Sequence, residues 1–101
     1  MAGDAQLPGV VRAERKIRNR AGLHARAAVK FVQLAARFQC EVRVEKDGTM
    51  VNGKSIMGLL TLVAALGVPI IIEAEGPDAT DAVNALVVLV ENGFGEGVVD
   101  D

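Results

Sequence analysis

Hydrophobic and polar residues recur with two different periods along this chain, which predicts a mixture of strands and helices. In residues 10–18 apolar and polar positions alternate as in a strand, although Arg15 interrupts the apolar face. In residues 25–37 the apolar positions recur every third or fourth residue, as on one face of a helix. That face consists of Ala28, Phe31, Val32 and Ala35.

The middle of the chain predicts a hairpin of two strands. Residues 41–45 alternate again, and a returning strand is expected over 49–51. Asp47-Gly48 between them is a hairpin signal, because both positions tolerate a positive φ. Asn52-Gly53 then predicts another turn.

The next apolar positions predict a short helix and a fourth strand. Ser55 is suited to cap a helix over residues 56–62, and Gly67 is expected to end that helix. Residues 68–75 alternate as in a strand. The buried face of that strand is formed by Ile70, Ile72 and Ala74.

A last helix is predicted after Gly76-Pro77, with Asp78 as its cap and Asn92-Gly93 as its end. Its buried stripe consists of Ala82, Val83, Leu86, Leu89 and Val90. Val87 and Val88 are more apolar than a solvent face requires. The sequence leaves open whether they widen the core or contact another copy.

Each predicted helix has one apolar stripe and each predicted strand one apolar face, so the economical fold is one sheet with helices on one side. The other sheet face would be wet, which favours antiparallel strands and an α+β fold. Residues 1–9 predict a flexible leader, 10–96 one domain, and 97–101 an acidic tail.

Composition narrows the classes of protein. The chain has 101 residues, half of them hydrophobic, with three Phe and no Trp or Tyr, which predicts one aliphatic core. A net charge of −2 gives no reason to expect nucleic-acid binding. The lone Cys40 lacks metal-ligand spacing and is interpreted as a small hydrophobe. With no signal peptide and no apolar run of membrane-spanning length, a cytoplasmic protein without metal, cofactor or membrane contact is expected.

The strongest chemical feature is the segment Gly22-Leu23-His24-Ala25-Arg26, where the long helix begins. Free backbone N–H groups and the helix dipole favour an anion there, and Arg26 adds a guanidinium. A neutral imidazole is available near pH 7, and the positive surroundings should disfavour its protonation. His24 is therefore a candidate nucleophile for a phosphoryl group, although spacing alone favours the plainer interpretation that it only caps the helix.

Three segments resemble the histidine-containing phosphocarrier family, HPr, of the bacterial phosphoenolpyruvate-dependent phosphotransferase system. They are Ala21-Gly22-Leu23-His24-Ala25-Arg26, Asn52-Gly53-Lys54-Ser55-Ile56-Met57-Gly58-Leu59-Leu60, and residues 76–96. The resemblance implies an open-faced sandwich, with two long helices and one short helix on one face of a four-stranded antiparallel sheet. It also implies phosphorylation of His24 on Nδ1 by phospho-enzyme I and transfer to an enzyme IIA domain, with Arg26 steadying the phosphate. No turnover of small molecules by the protein itself is expected.

One residue departs from the family pattern. Where the family usually has Pro after the active-site Arg, this chain has Ala27. Alanine loosens the first helical turn slightly but supplies one more N–H donor near the anion. A changed rate is expected, and not a lost function.

Ser55 and the residues around it have a structural and a functional interpretation. Ser55 can cap the short helix, and the resemblance implies regulatory phosphorylation from ATP by an HPr kinase/phosphorylase, with a transcription regulator as a further partner. Partner contact is expected from an exposed apolar patch, its basic rim and the start of the long helix. These candidate residues are Arg20, Ala25, Ala27, Lys54, Ile56, Met57 and Leu60. Leu59 and Leu62 are expected to point inward, and Arg20 and Lys54 are equally well explained as solvated charges.

Two rival hypotheses remain beside the carrier. One is a chiefly regulatory protein, controlled through Ser55 and uninvolved in sugar transport. The other is a small-ligand or structural module without phosphorylation.

Overall fold

The computed structural model, which describes residues 9–99, has four strands and three helices in the predicted order. The strands are β1 (Val10–Lys16), β2 (Glu41–Lys46), β3 (Thr49–Asn52) and β4 (Pro69–Glu75). The helices are α1 (Ala25–Ala35), α2 (Ile56–Thr61) and α3 (Ala79–Glu91), followed by a 3-10 turn at Gly93–Gly95. Most of the predicted leader (residues 1–8) and the last two residues of the predicted tail lie outside the described part of the chain.

The strands form one antiparallel sheet in the order β1-β4-β2-β3, so β4 lies between β1 and β2. Ala74 faces Val11 on one neighbour and Val42 on the other. Ile70, Ile72 and Ala74 are fully buried beneath the helices, as the alternation predicted. The α+β open-faced sandwich is therefore confirmed.

The uncovered face of the sheet carries charged side chains that pair across strands. The Arg43 guanidinium lies 2.6 Å from the Glu73 carboxylate and 2.9 Å from that of Glu75, and Arg12 lies 3.2 Å from Glu73. Because these charged side chains are solvated and paired, the sheet face that no helix covers can remain exposed to water. Arg15, which interrupted the apolar face of β1, pairs with Glu91 of α3 at 2.8 Å, where the helix layer meets the edge of the sheet.

The short helix ends earlier than predicted. The sequence assigned its end to Gly67, but α2 ends at Thr61 and Val63 already has a left-handed backbone with φ of 50°. Gly67 instead lies in the turn before β4, where its N–H donates to the Ile17 carbonyl at 2.8 Å. In α3, Val87 is buried and widens the core stripe, whereas Val88 is exposed and takes no part in it.

Asp78 precedes α3 as predicted but makes no side-chain capping bond. Its carboxylate accepts hydrogen bonds from the backbone N–H groups of Gln39 and Cys40, at 2.8 and 2.9 Å. These bonds tie the segment between α1 and β2 to the start of α3, and they lower the pKa of Asp78. Cys40 is buried, and that burial raises the pKa of its thiol, as expected of a small hydrophobe.

A pH-dependent contribution to stability follows from Asp78. Because its pKa is lowered in the folded chain, the carboxylate stabilises the fold above about pH 4 and this contribution is lost as the pH falls through the lowered pKa. We expect Asp78→Asn to lower the urea midpoint at pH 7 and to differ less from the wild type at pH 3. Asp81→Asn, in the first turn of the same helix, is the control. An Asp78→Asn deficit of equal size at both pH values would contradict this account.

None of the helices within residues 9–99 has the length and apolar character that crossing a bilayer requires.

Candidate functional site

A tight turn before α1 fixes the backbone that leads to His24. The Gly22 N–H donates to the Asn19 carbonyl at 3.1 Å, and the Asn19 side-chain amide donates to the Gly22 carbonyl at 2.8 Å. Gly22 has φ of +72°, and the Leu23 N–H donates to the Ala64 carbonyl at 2.8 Å. The sequence from Asn19 to Gly22 is typical of a turn, and the structure has that turn. The Leu23–Ala64 bond ties it to the segment after α2.

His24 is the N-cap of α1. Its backbone is extended, with φ of −82° and ψ of −177°, and its carbonyl accepts the Ala28 N–H at 2.8 Å. Its Nδ1 accepts the Arg26 backbone N–H at 3.3 Å. His24 thus caps α1, and the cap aims Nδ1 at the N-terminal end of the helix, where backbone N–H groups favour an anion.

The other ring nitrogen of His24, Nε2, contacts a carboxylate from the C-terminal part of the chain. Nε2 lies 2.6 Å from Oε2 of Glu96. Oε1 of Glu96 accepts the Asn19 side-chain amide at 2.9 Å. Because Nδ1 acts as an acceptor, the neutral ring carries its proton on Nε2 and donates it to Glu96.

Glu96 changes the electrostatics expected from the sequence. Hydrogen bonds from the Asn19 amide and from His24 lower the pKa of Glu96, so it is ionised near neutral pH. The helix end and Arg26, on the Nδ1 side, are therefore not the only charges beside the ring. His24 lies between an anion on Nε2 and a positive end on Nδ1.

The basic residues around the site differ in whether their charged groups already have a partner. Arg26 and Arg20 are exposed and have no ion-pair partner within residues 9–99, so both guanidinium groups are open to an incoming anion. Lys54 is different, because its Nζ donates to the Phe38 carbonyl at 2.6 Å. Its ammonium is held just beyond the C-terminal end of α1.

The predicted apolar patch is exposed on α2. Met57 is 71% exposed and Ile56 is 37% exposed, whereas Leu59 and Leu62 are buried as expected. Leu60 lines a shallow depression together with His24. We call Ile56, Met57 and Leu60 the docking patch.

The two alanines at the start of α1 differ in accessibility. Ala25 is exposed, but Ala27 is fully buried in the core. The side chain of Ala27 therefore offers no surface to a partner. What Ala27 can present to an anion is its backbone N–H, which a proline would lack.

Ser55 caps α2, as the sequence predicted. Its Oγ accepts the Gly58 N–H at 3.0 Å. We expect Ser55→Ala to lower the free energy of unfolding by about 1 kcal/mol, because it leaves that donor without its capping partner. Ser55→Asp, which retains an acceptor, should lose less, and urea denaturation of the two variants measures the difference. Equal stability of the alanine variant and the wild type would show that the cap contributes nothing.

Sequence reasoning missed two residues of the site. Asn19 was recognised only as part of a turn, and Glu96 only as the last residue of the predicted domain. The available signal was Phe94, a large apolar residue between two glycines just after α3. Phe94 is fully buried, and it anchors the segment that carries Glu96.

Known proteins match this chain over most of its length. The family model described as "PTS HPr component phosphorylation site" matches residues 11–92. The phosphocarrier protein HPr of Neisseria meningitidis serogroup A is 51% identical over 82 residues, which are 81% of this chain and 92% of that protein. The HPr of Cupriavidus necator is 46% identical over 79 residues, 78% of this chain and 89% of that protein.

A solved structure shares the fold. The crystal structure of HPr-C-His from Thermoanaerobacter tengcongensis superimposes with a TM-score of 0.84 at 44% identity, covering 87% of this chain and 99% of that one. These matches define a class of small α+β proteins that carry phosphoryl groups. The chain belongs to the HPr family of phosphocarrier proteins of the phosphotransferase system.

Proposed function

We propose that His24 is the phosphoryl acceptor of this carrier and that Nδ1 forms the bond to phosphorus. The observation that carries the proposal is the orientation of the ring: Nδ1 is directed at the start of α1, where it accepts the Arg26 N–H at 3.3 Å. A phosphoryl group on Nδ1 would occupy the same place and take over that donor.

The chemistry follows from a neutral imidazole. The Nδ1 lone pair attacks phosphorus, the Nδ1–P bond forms, and the bond from phosphorus to the donor breaks with its electron pair leaving on the donor. The Arg26 and Ala27 backbone N–H groups and the Arg26 guanidinium stabilise the negative oxygens. The product is a reactive phosphoramidate, suited to passing the group on.

We propose enzyme I as the donor and an enzyme IIA domain as the acceptor, both in the cytoplasm, with residues 10–96 forming the carrier domain. Leu60 of the docking patch shares a depression with His24, and Ile56 and Met57 extend the exposed apolar surface along α2. Arg20 and Arg26 add positive charge with no ion-pair partner within residues 9–99. Such a surface favours a partner that is acidic around an apolar centre.

We propose further that Ser55 is a regulatory site, phosphorylated from ATP by an HPr kinase/phosphorylase. Its Oγ lies at the N-terminus of α2, beside Ile56 of the docking patch. A phosphate there is compatible with the helix dipole but adds negative charge where an acidic partner would bind. A chiefly regulatory protein that acts on a transcription regulator is the alternative function.

Incubation with phosphoenolpyruvate and enzyme I tests the carrier role directly. His24 is the only histidine in the sequence, so acid-labile label on the wild type reports this residue. We expect full labelling of the wild type and of Ser55→Ala, and none of His24→Ala. An unlabelled wild type, or equal label on His24→Ala, contradicts the proposal. Acid-stable label from ATP and the kinase, abolished in Ser55→Ala, tests the regulatory role separately.

A further inference from the structure

We propose that Glu96 is a positioning residue for His24, holding the proton on Nε2 so that Nδ1 is free to react and balancing the charge that the ring gains on phosphorylation. This inference rests on the acceptor role proposed for His24. Glu96 does not touch the phosphoryl group and acts only through the imidazole.

The Glu96 carboxylate is held in place by two hydrogen-bond partners, one at each oxygen. Asn19, which is fully buried, donates to Oε1 at 2.9 Å, while Oε2 meets His24. The side chain of Glu96 is only 19% exposed. A carboxylate fixed by a buried amide keeps its position when its partner changes charge.

The backbone that carries Glu96 is also anchored to the rest of the fold. Phe94 is fully buried although its φ is 54°, a left-handed conformation that a non-glycine residue adopts only when its surroundings enforce it. Lys30 of α1 donates to the Phe94 carbonyl at 2.8 Å. Beyond Glu96, the Val99 N–H donates to the Arg18 carbonyl at 2.9 Å. The segment is therefore fixed to the fold on both sides of Glu96.

The charge of the His24 ring changes during the reaction. If Nε2 keeps its proton while Nδ1 bonds to phosphorus, the ring becomes positively charged. The Nε2–H···Glu96 bond is then a bond between two ions, where before it joined a neutral donor to a carboxylate. Such a bond is stronger after the reaction than before it, so it favours both the transition state and the phosphorylated product.

The test uses Glu96→Ala, which removes the acceptor, and Glu96→Gln, which keeps an acceptor and removes the charge. The matched control is Glu91→Gln, because Glu91 forms an exposed ion pair with Arg15 and makes no contact with His24. Phosphoramidate serves as a small chemical donor, so docking to a protein partner does not enter the rate. The ¹⁵N shifts of the His24 ring report the tautomer in the unphosphorylated protein.

We expect the wild type and Glu91→Gln to show the Nε2–H tautomer and equal rates. Both Glu96 variants should react about tenfold more slowly. This is the change in rate expected when one charge-assisted hydrogen bond is lost at a partly exposed site. Glu96→Gln should keep the Nε2–H tautomer, and Glu96→Ala should lose its preference for it. If both variants keep the rate and the tautomer of the wild type, this inference is overturned and the acceptor role of His24 is unaffected. A wild type that phosphoramidate does not phosphorylate contradicts the acceptor role itself.

Discussion

Gly22→Ala is expected to lower the free energy of unfolding by about 3 kcal/mol and to reduce phosphorylation of His24. A Cβ at this position would lie 2.6 Å from the Ala64 carbonyl oxygen and 3.0 Å from the Ala65 Cα. Both atoms belong to the backbone, so relief requires movement of the segment after α2 or of the turn that precedes His24. The left-handed φ of +72° adds strain for any residue with a side chain.

Gly48→Ala separates the two causes. Gly48 has a similar φ of +82°, but nothing lies within 4 Å of a Cβ built there. Its substitution should cost only about 1 kcal/mol, from the backbone conformation alone. Urea denaturation of both variants, with label uptake from phosphoenolpyruvate and enzyme I, checks the expectation. Equal losses of stability would mean that the contact with Ala64 relaxes at no cost.

Phe94→Ala is expected to lower the free energy of unfolding by about 3–5 kcal/mol, since the phenyl ring is fully buried and its removal leaves a cavity. Loss of the ring also releases the 3-10 turn that carries Glu96. We therefore expect the His24 ring in the folded fraction of the variant to lose its preference for the Nε2–H tautomer. Chemical denaturation measures the first effect, and ¹⁵N shifts of the ring measure the second.

Ile72→Ala is the matched control, because Ile72 is also fully buried but belongs to β4, the strand between β1 and β2, and not to the helix or the turn that position His24 and Glu96. Its substitution should cost a similar amount of stability and leave the tautomer unchanged. If both variants showed the same ring spectrum, Phe94 would have no role in holding Glu96 beyond general packing.

The parts of the fold that were predictable from sequence are those with a local cause. Alternation located the four strands, and the spacing of apolar residues identified both long helices and the buried side of α2. Asp47-Gly48 located the hairpin, where both residues have the positive φ that its turn requires. Ser55 was recognised as a cap because its hydrogen bond spans three residues.

The features that were missed depend on residues distant in sequence. The end of α2 was assigned to Gly67 because glycine ordinarily adopts the left-handed conformation, yet Val63 adopts it here. Asp78 was taken as a cap, but its acceptors are used by Gln39 and Cys40. In both cases contacts with residues distant in sequence override the local preference, and a local sequence pattern does not show those contacts.

The candidate site divides in the same way. His24 and Arg26 could be proposed from sequence, because a histidine and an arginine at the start of a helix suggest an anion site. Spacing alone still favoured a helix cap, and the resemblance to the HPr family made the functional interpretation the stronger one. Asn19 and Glu96 could not be proposed, because an amide in a turn and a glutamate near the end of the chain are ordinary residues until the fold joins them. The buried Phe94 was the one local clue that the last turn belongs to the core.

The contact between His24 and Glu96 also has a consequence for synthesis of the protein. The two residues are 72 positions apart, and β1 has no partner strand until residues 69–75 have been made. The β2–β3 hairpin needs neither, so it can form while the chain is still emerging from the ribosome. A nascent or proteolytically shortened chain that stops before residue 96 exposes a histidine without its carboxylate. The contact between the His24 ring and Glu96 is thus among the last features of the fold to form. Its presence shows that a chain has been translated at least to residue 96.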